Sequence, residues 1–232
     1  MHEVNSFITL TYDEANYEPS LVYRDFQLFM KRLRKLKGSV RFFACGEYGE
    51  ERNRPHFHAC LFGCTFDSPR KIGKELYASP ELEKLWPYGL SSFGNVTFQS
   101  AAYVARYCIS KKTGDMAEEH YKRVNLVTGE IVRVVPEMGR MSLKPGIGYP
   151  WFEKFWSDVY VARDGCVVDG KILPAPKYYD KLLGLRQVDL STDKEYDRYV
   201  NSIEFAKDCT PDRLAVREIV AKARLNTLTR SL

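Results

Sequence analysis

The apolar positions change period several times along the chain, and each change marks an element. Ser6-Phe7-Ile8-Thr9-Leu10-Thr11-Tyr12 is dense in β-branched and aromatic residues and predicts a strand. After a polar loop from Asp13 to Pro19, apolar residues fall at 22, 26, 29, 30, 33 and 36. That helical period predicts a helix from Ser20 to about Lys37, stopped by Gly38. Val40 to Glu47 and His56 to Phe62 predict two more strands, separated by Tyr48 to Pro55 with Gly49 and Pro55 as breakers. Ser79-Pro80-Glu81 has the form of an N-cap, a first-turn proline and a dipole-compensating acid, so a short helix to Trp86 follows. Asn95 to Phe98 predicts a fourth strand, and Ser100 caps a helix to about Lys112.

The order strand, helix, strand, strand, helix, strand, helix defines an α+β fold: a central antiparallel β-sheet with flanking helices. The second half is patterned less regularly. Val124 to Val127 and Glu130 to Val135 flank Thr128-Gly129 as a hairpin, and Pro150 opens a helix through Val159. Val167-Val168 and Lys171-Ile172 flank Asp169-Gly170, and Thr210-Pro211 opens a basic helix to about Leu225.

Composition narrows the class. With 232 residues, 44% hydrophobic and 28% charged, the chain is long enough to bury a core and is not a disordered segment. No stretch approaches 18 consecutive apolar residues, so no membrane span is expected. The first residues lack a basic region followed by an apolar one and do not form a secretory signal. Six scattered cysteines fit reduced thiols in a cytoplasm, with Cys60-x-x-x-Cys64 read as packing. The net charge of +5 is unevenly spread: from Phe26 to Gly46 there is no acid, while Lys31, Arg32, Arg34, Lys35, Lys37 and Arg41 all fall there. Such a block can attract a phosphate backbone, or it can be a solvated helix face.

The segment Cys45 to His58 carries the clearest chemistry. Side chains alternate along a strand, so His56 and His58 share a face, with Cα atoms about 6.6 Å apart. If the two strands pair without a bulge, Glu47 lies opposite His56 and points the same way. Two imidazoles and one carboxylate leave coordination positions open, as a catalytic divalent site requires. Nitrogen and oxygen donors point to Mg²⁺ or Mn²⁺ as the working ion. His2 and His120 are read as surface residues.

On the helix from Ser100, Tyr103 and Tyr107 are four residues apart and stack on one face, with Lys111 one turn further. A tyrosine can attack and form a covalent intermediate when a cation favours its phenolate. A metal site on a sheet, paired tyrosines on a helix and a basic block together describe a phosphotransesterase for nucleic acid.

At these residues the sequence resembles the HUH endonucleases, whose central bulky hydrophobic residue is here Phe57. It is most similar to the replication initiators of small circular single-stranded DNA phages, the microviruses and their gokushovirus branch. Phe7 to Tyr12 resembles the first motif of rolling-circle initiators. Gly46-Glu47-Tyr48-Gly49 followed by Arg54-Pro55-His56-Phe57-His58 resembles the metal motif. Tyr103 to Tyr107 with Lys111-Lys112 resembles the paired-tyrosine motif. Met141-Ser142, Pro145 to Gly148 and Trp151 resemble a segment typical of the phage group.

The resemblance implies a nuclease domain over residues 1–160 and a C-terminal extension, 161–232, packed on it. It implies metal ligands Glu47, His56 and His58, catalytic Tyr103, Tyr107 and Lys111, and DNA contacts from Lys31, Arg32, Arg34, Lys35, Arg54, Arg106 and Lys112. The implied activity is site-specific nicking and rejoining of origin DNA through a 5′-phosphotyrosine, in the cytoplasm of a bacterial host. Single-stranded DNA and an origin in supercoiled circular DNA are the implied partners. A host polymerase and helicase complete the set, because the chain has no P-loop pattern. A transposase or relaxase of the same superfamily and a non-catalytic DNA-binding protein are the alternatives.

Overall fold

The computed structural model describes residues 2–49, 53–107, 111–125 and 128–227, apart from the side chains of Tyr107, Met116 and Asn226. The chain forms two compact units, 2–147 and 148–232. The divide falls earlier than the expected 160/161 boundary, because the helix opened by Pro150 packs into a core made by later residues.

The first unit is built on a seven-stranded antiparallel sheet. Its strands are β1 Asn5–Tyr12, β2 Arg41–Tyr48, β3 Pro55–Phe62, β4 Arg70–Lys71, β5 Tyr77–Ala78, β6 Gly89–Asn95 and β9 Met138–Met141, in the order β4-β5-β6-β1-β3-β2-β9. β7 Lys122–Val124 and β8 Ile131–Arg133 form a separate hairpin. The helices are α1 Tyr23–Lys37, α2 Pro80–Leu85, α3 Phe98–Tyr107 and α4 Met116–His120.

The pleat sends each sheet residue to one of two cores. Ile8, Leu10, Phe42, Ala44, Phe57, Ala59 and Leu61 meet Phe26, Phe29, Leu33, Leu82 and Trp86 from α1 and α2. On the opposite face Phe7, Cys45 and Cys60 meet Val104 of α3, with Phe43, Ala101 and Tyr103 packed beside them. Cys60 and Cys64 are buried, and burial pushes both thiols up to about 11, so they pack as neutral groups rather than as thiolate ligands.

Several boundaries differ from expectation. α1 starts at Tyr23 because the Ser20 hydroxyl accepts a hydrogen bond from Val135 N–H (2.9 Å) instead of capping the helix. The strand expected at 95–98 lies earlier, at β6, where Ser92 pairs with Thr9. Thr97 and Ser100 instead close a reciprocal cap: Ser100 N–H donates to Thr97 Oγ1 (3.1 Å) and Thr97 N–H to Ser100 Oγ (2.8 Å). Phe98 therefore begins α3. At its other end, Lys111 and Lys112 lie outside the helix, where Lys112 N–H donates to the Tyr121 hydroxyl (2.9 Å). Ser79 caps α2 as expected, accepting from Glu81 N–H at 3.2 Å.

The second unit contains α5 Tyr149–Tyr160, the hairpin β10 Cys166–Val168 and β11 Lys171–Leu173, then α6 Lys177–Arg186, α7 Val188–Glu204 and α8 Pro211–Asn226. Asp169 and Gly170 turn the hairpin with φ of 49° and 74°, the left-handed pair a two-residue turn requires. Phe152, Val159, Tyr160, Tyr179 and Leu183 form its core. The region expected to be irregular is thus largely helical. Among the described residues, no helix is long and apolar enough to cross a membrane.

Candidate active site

The hairpin register is the one that residue counting predicts. Glu47 pairs with His56 across β2 and β3, and Cys45 pairs with His58. Glu47, His56 and His58 therefore share a face, and their ligand atoms lie within 4.8 Å of one another. Both imidazoles aim at one oxygen: His56 Nε2 is 2.8 Å and His58 Nε2 3.0 Å from Glu47 Oε1. Glu47 is 2% exposed and His58 7%, while His56 is half-buried at the opening.

The other ring nitrogens are held from behind. His56 Nδ1 donates to the Arg54 carbonyl (3.0 Å), which can only accept, so this nitrogen carries the proton and Nε2 presents a lone pair. His58 Nδ1 shares a hydrogen bond with Thr9 Oγ1 at 2.9 Å, across the β1–β3 pairing of Thr9 with His58. The Phe7 ring stacks on His58 with centroids 5.4 Å apart, and Tyr103 meets the same imidazole edge-on at 5.2 Å.

Charge makes this cluster a cation site. Burial raises the Glu47 carboxyl, but hydrogen bonds from His56 and His58 outweigh it, and the net pKa lies below the ordinary value. Burial lowers His58, with the neighbouring His56 adding to that, although Glu47 works the other way. A carboxylate facing two lone pairs needs a positive charge among them. Glu47 Oε2 is also buried with no hydrogen-bond partner among the described residues. An orphaned carboxylate oxygen beside two oriented imidazoles fits a divalent ion. The donor set alone does not choose between Mg²⁺ and Mn²⁺.

α3 brings the tyrosine to this face. Tyr103 hydroxyl is 3.4 Å from Glu47 Oε1. Tyr107 closes the same helix, and its side chain lies outside the described residues. Arg106 is half-buried on α3, and Lys111 and Lys112 are exposed beyond its end. Arg54 has its guanidinium tied to the Tyr12 carbonyl (2.8 Å) and to Glu14, so it is the Arg54 backbone that serves the cluster.

The basic residues of α1 are not brought to the cluster. α1 covers the opposite sheet face. Arg32 donates to the Leu85 carbonyl (2.9 Å), and Arg34 donates to that of Val40 (3.1 Å) with its guanidinium 5.6 Å from the Phe42 ring centroid. Lys31 and Lys35 remain exposed. His2 and His120 are exposed, as expected.

Fold and site define an α+β protein whose antiparallel sheet holds a cation-binding Glu/His/His cluster against a helix-borne tyrosine. Residues 5–113 match the family model of the replication-associated protein ORF2. The chain is 30% identical over 195 residues to replication-associated protein VP4 of Bdellovibrio phage phiMH2K, covering 77% of this chain and 58% of that protein. It is 30% identical over 197 residues to replication-associated protein ORF2 of Spiroplasma virus 4, covering 76% and 57%. Replication-associated protein ORF4 of Chlamydia phage 1 is 32% identical over 126 residues, covering 48% and 31%. The chain thus spans somewhat over half the length of the first two relatives. These similarities place the chain among the phage replication-associated proteins. No solved structure matches it.

Proposed function

We propose that this protein initiates rolling-circle replication by nicking and rejoining origin DNA through a 5′-phosphotyrosine. The observation that carries the reading is the Tyr103 hydroxyl 3.4 Å from Glu47 Oε1, on the oxygen where two histidine nitrogens converge. The kinship with phage replication-associated proteins supports the replication role and DNA as the partner.

Glu47, His56 and His58 would hold one Mg²⁺ or Mn²⁺. Such an ion polarises a phosphate oxygen and offsets the charge that builds on it. Phe7 and His58 pack against the Tyr103 ring, which orients its oxygen toward the cluster. The phenol oxygen bonds to phosphorus as the bond to the 3′ oxygen breaks. The phenol gives up its proton, the 3′ oxygen takes one, and the 5′ phosphate stays on tyrosine. A 3′-OH attacking that phosphotyrosine reverses each change and reseals the strand without ATP. Tyr107 serves the second cleavage. Arg106, Lys111 and Lys112 hold phosphates near α3, while Lys31 and Lys35 would meet a different stretch of DNA. The freed 3′ end would be extended by a host polymerase behind a host helicase, in the bacterial cytoplasm.

The test is cleavage of end-labelled single-stranded origin DNA with Mn²⁺, resolved on a denaturing protein gel. The label should run with the protein and disappear in Tyr103→Phe/Tyr107→Phe and in His58→Ala. Cut DNA with no label on the protein would mean hydrolysis by activated water. Bound, uncut cognate DNA would leave a binding module.

A further inference from the structure

Helices α7 and α8 carry matching apolar stripes that nothing in their own unit covers. The inner side of α7 is anchored: Arg198 bridges Asp164 (2.7 Å) and Asp180 (3.1 Å), and Asp180 also accepts from the Tyr160 hydroxyl (2.8 Å). Its outer side presents Tyr196, Tyr199, Val200 and Ile203, spaced i, i+3, i+4, i+7 and exposed at 66, 64, 43 and 55%. α8 repeats the spacing with Val216, Ile219, Val220 and Ala223, and every described side chain of α8 is exposed. A helix of this length does not persist in water on propensity alone; it needs its apolar stripe covered.

The charges beside the stripes are complementary. At 100° per residue, Asp189, Asp193, Asp197 and Glu204 border one side of the α7 stripe, and Arg213, Arg217 and Arg224 border the corresponding side of the α8 stripe. Corresponding sides meet only when two helices pack antiparallel, so that arrangement sets the acidic row against the basic row. The chain's own α8 is held away from its α7. Ala206–Cys209 forms a 3-10 turn, Thr210 is extended, and Arg213 pairs with Asp208 at 2.8 Å, which fixes the departure of α8.

We propose that two copies of this chain exchange α8, each laying it antiparallel along α7 of the other. The interface is two-fold and reciprocal, so it closes as a dimer and does not propagate. It is independent of the nuclease reading.

Sedimentation of the full chain under reducing conditions, which keep the exposed Cys209 out of the result, should give twice the monomer mass. Ile219→Asp and Arg217→Glu should each raise the dissociation constant at least about tenfold. Asp193→Lys/Asp197→Lys should restore association to Arg217→Glu. Circular dichroism would verify that the variants stay folded, as expected for exposed positions. In a Cys209→Ser background, Val200→Cys with Ile219→Cys should oxidise to a covalent dimer. A monomer at all concentrations would overturn the exchange, as would association indifferent to these variants. So would a Val200→Cys/Ile219→Cys disulfide confined to single chains, which would mean that α8 folds back on its own α7.

Discussion

Thr9 is the residue whose role is least visible in the sequence and most definite in the structure. It ligates nothing itself, yet it is the partner of His58 Nδ1 and so sets which nitrogen faces Glu47. Thr9→Val keeps the shape and removes the hydroxyl. Mn²⁺ affinity, measured by calorimetry, should fall about 10- to 100-fold, as for other losses of a ligand's outer partner. Unchanged affinity would show that packing against Phe7 is enough to orient His58. Acid should act on the same residues. The folded pKa of His58 lies below its ordinary 6.5 and that of Glu47 below its ordinary 4.5. As pH falls, the unfolded chain therefore binds each proton before the folded one does. Stability from these groups is present above those ordinary values and is lost as pH falls past 6.5 and again past 4.5. In EDTA the urea midpoint should drop through both windows, and His58→Gln should flatten the upper one; a wild-type midpoint that rose on acidification would contradict the sign. The three ligands were legible because hairpin pairing is a matter of counting along one local segment. Thr9 was not, because its register with β3 is set by packing across 49 residues of chain.

Among the elements, β6 is the one whose composition hides it. Gly89, Ser91, Ser92 and Gly94 supply almost none of the β-branched density that marks a strand, and β6 forms because β1 offers it a complete edge. The apolar run just after it, which resembles a strand more, is claimed by the Thr97–Ser100 cap of α3. α6 and α7 were unread for a similar reason: neither begins with a side-chain cap, and α6 carries Gly184. By contrast α1, α2, α5 and α8 announced themselves through periodicity or a first-turn proline. Close approach explains the glycine at the start of β6. Gly89 has φ of 148°, and a Cβ there would sit 2.3 Å from the Asp13 nitrogen, with only backbone to yield. Gly89→Ala should therefore cost more than about 2 kcal/mol, read as a lowered urea midpoint, because overpacking against backbone cannot be relieved by a rotamer change. A loss of a few tenths would mean that the β1–β6 edge can open there. The centre would feel the change indirectly, since Thr9 pairs with β3 on one side and β6 on the other.

For the molecule as a whole, the division of the core decides what each part can do alone. The two clusters that flank the sheet draw every member from residues before 148, and the cluster around Phe152 and Tyr179 draws every member from residues after it. Sequence patterning set the expected boundary beyond α5, since Trp151 and Phe152 closed the segment that resembles the phage proteins. Packing instead gives α5 to the later helices, where Trp151 stacks on Tyr179 with centroids 5.7 Å apart. All the residues that build the cation site lie in the first unit: Thr9, Glu47, His56, His58 and Tyr103. A chain ending at Ile147 should therefore fold and bind Mn²⁺ with an affinity within about threefold of the full chain, since a ligand set held by its own core owes little to distant contacts. A chain ending at residue 160 should bind no better, and it would carry α5 with its apolar face stripped of Tyr179 and Leu183, so it should aggregate more readily. The reverse ranking, with the longer fragment soluble and the shorter one unable to bind, would place α5 with the sheet and return the boundary to where the sequence pattern put it.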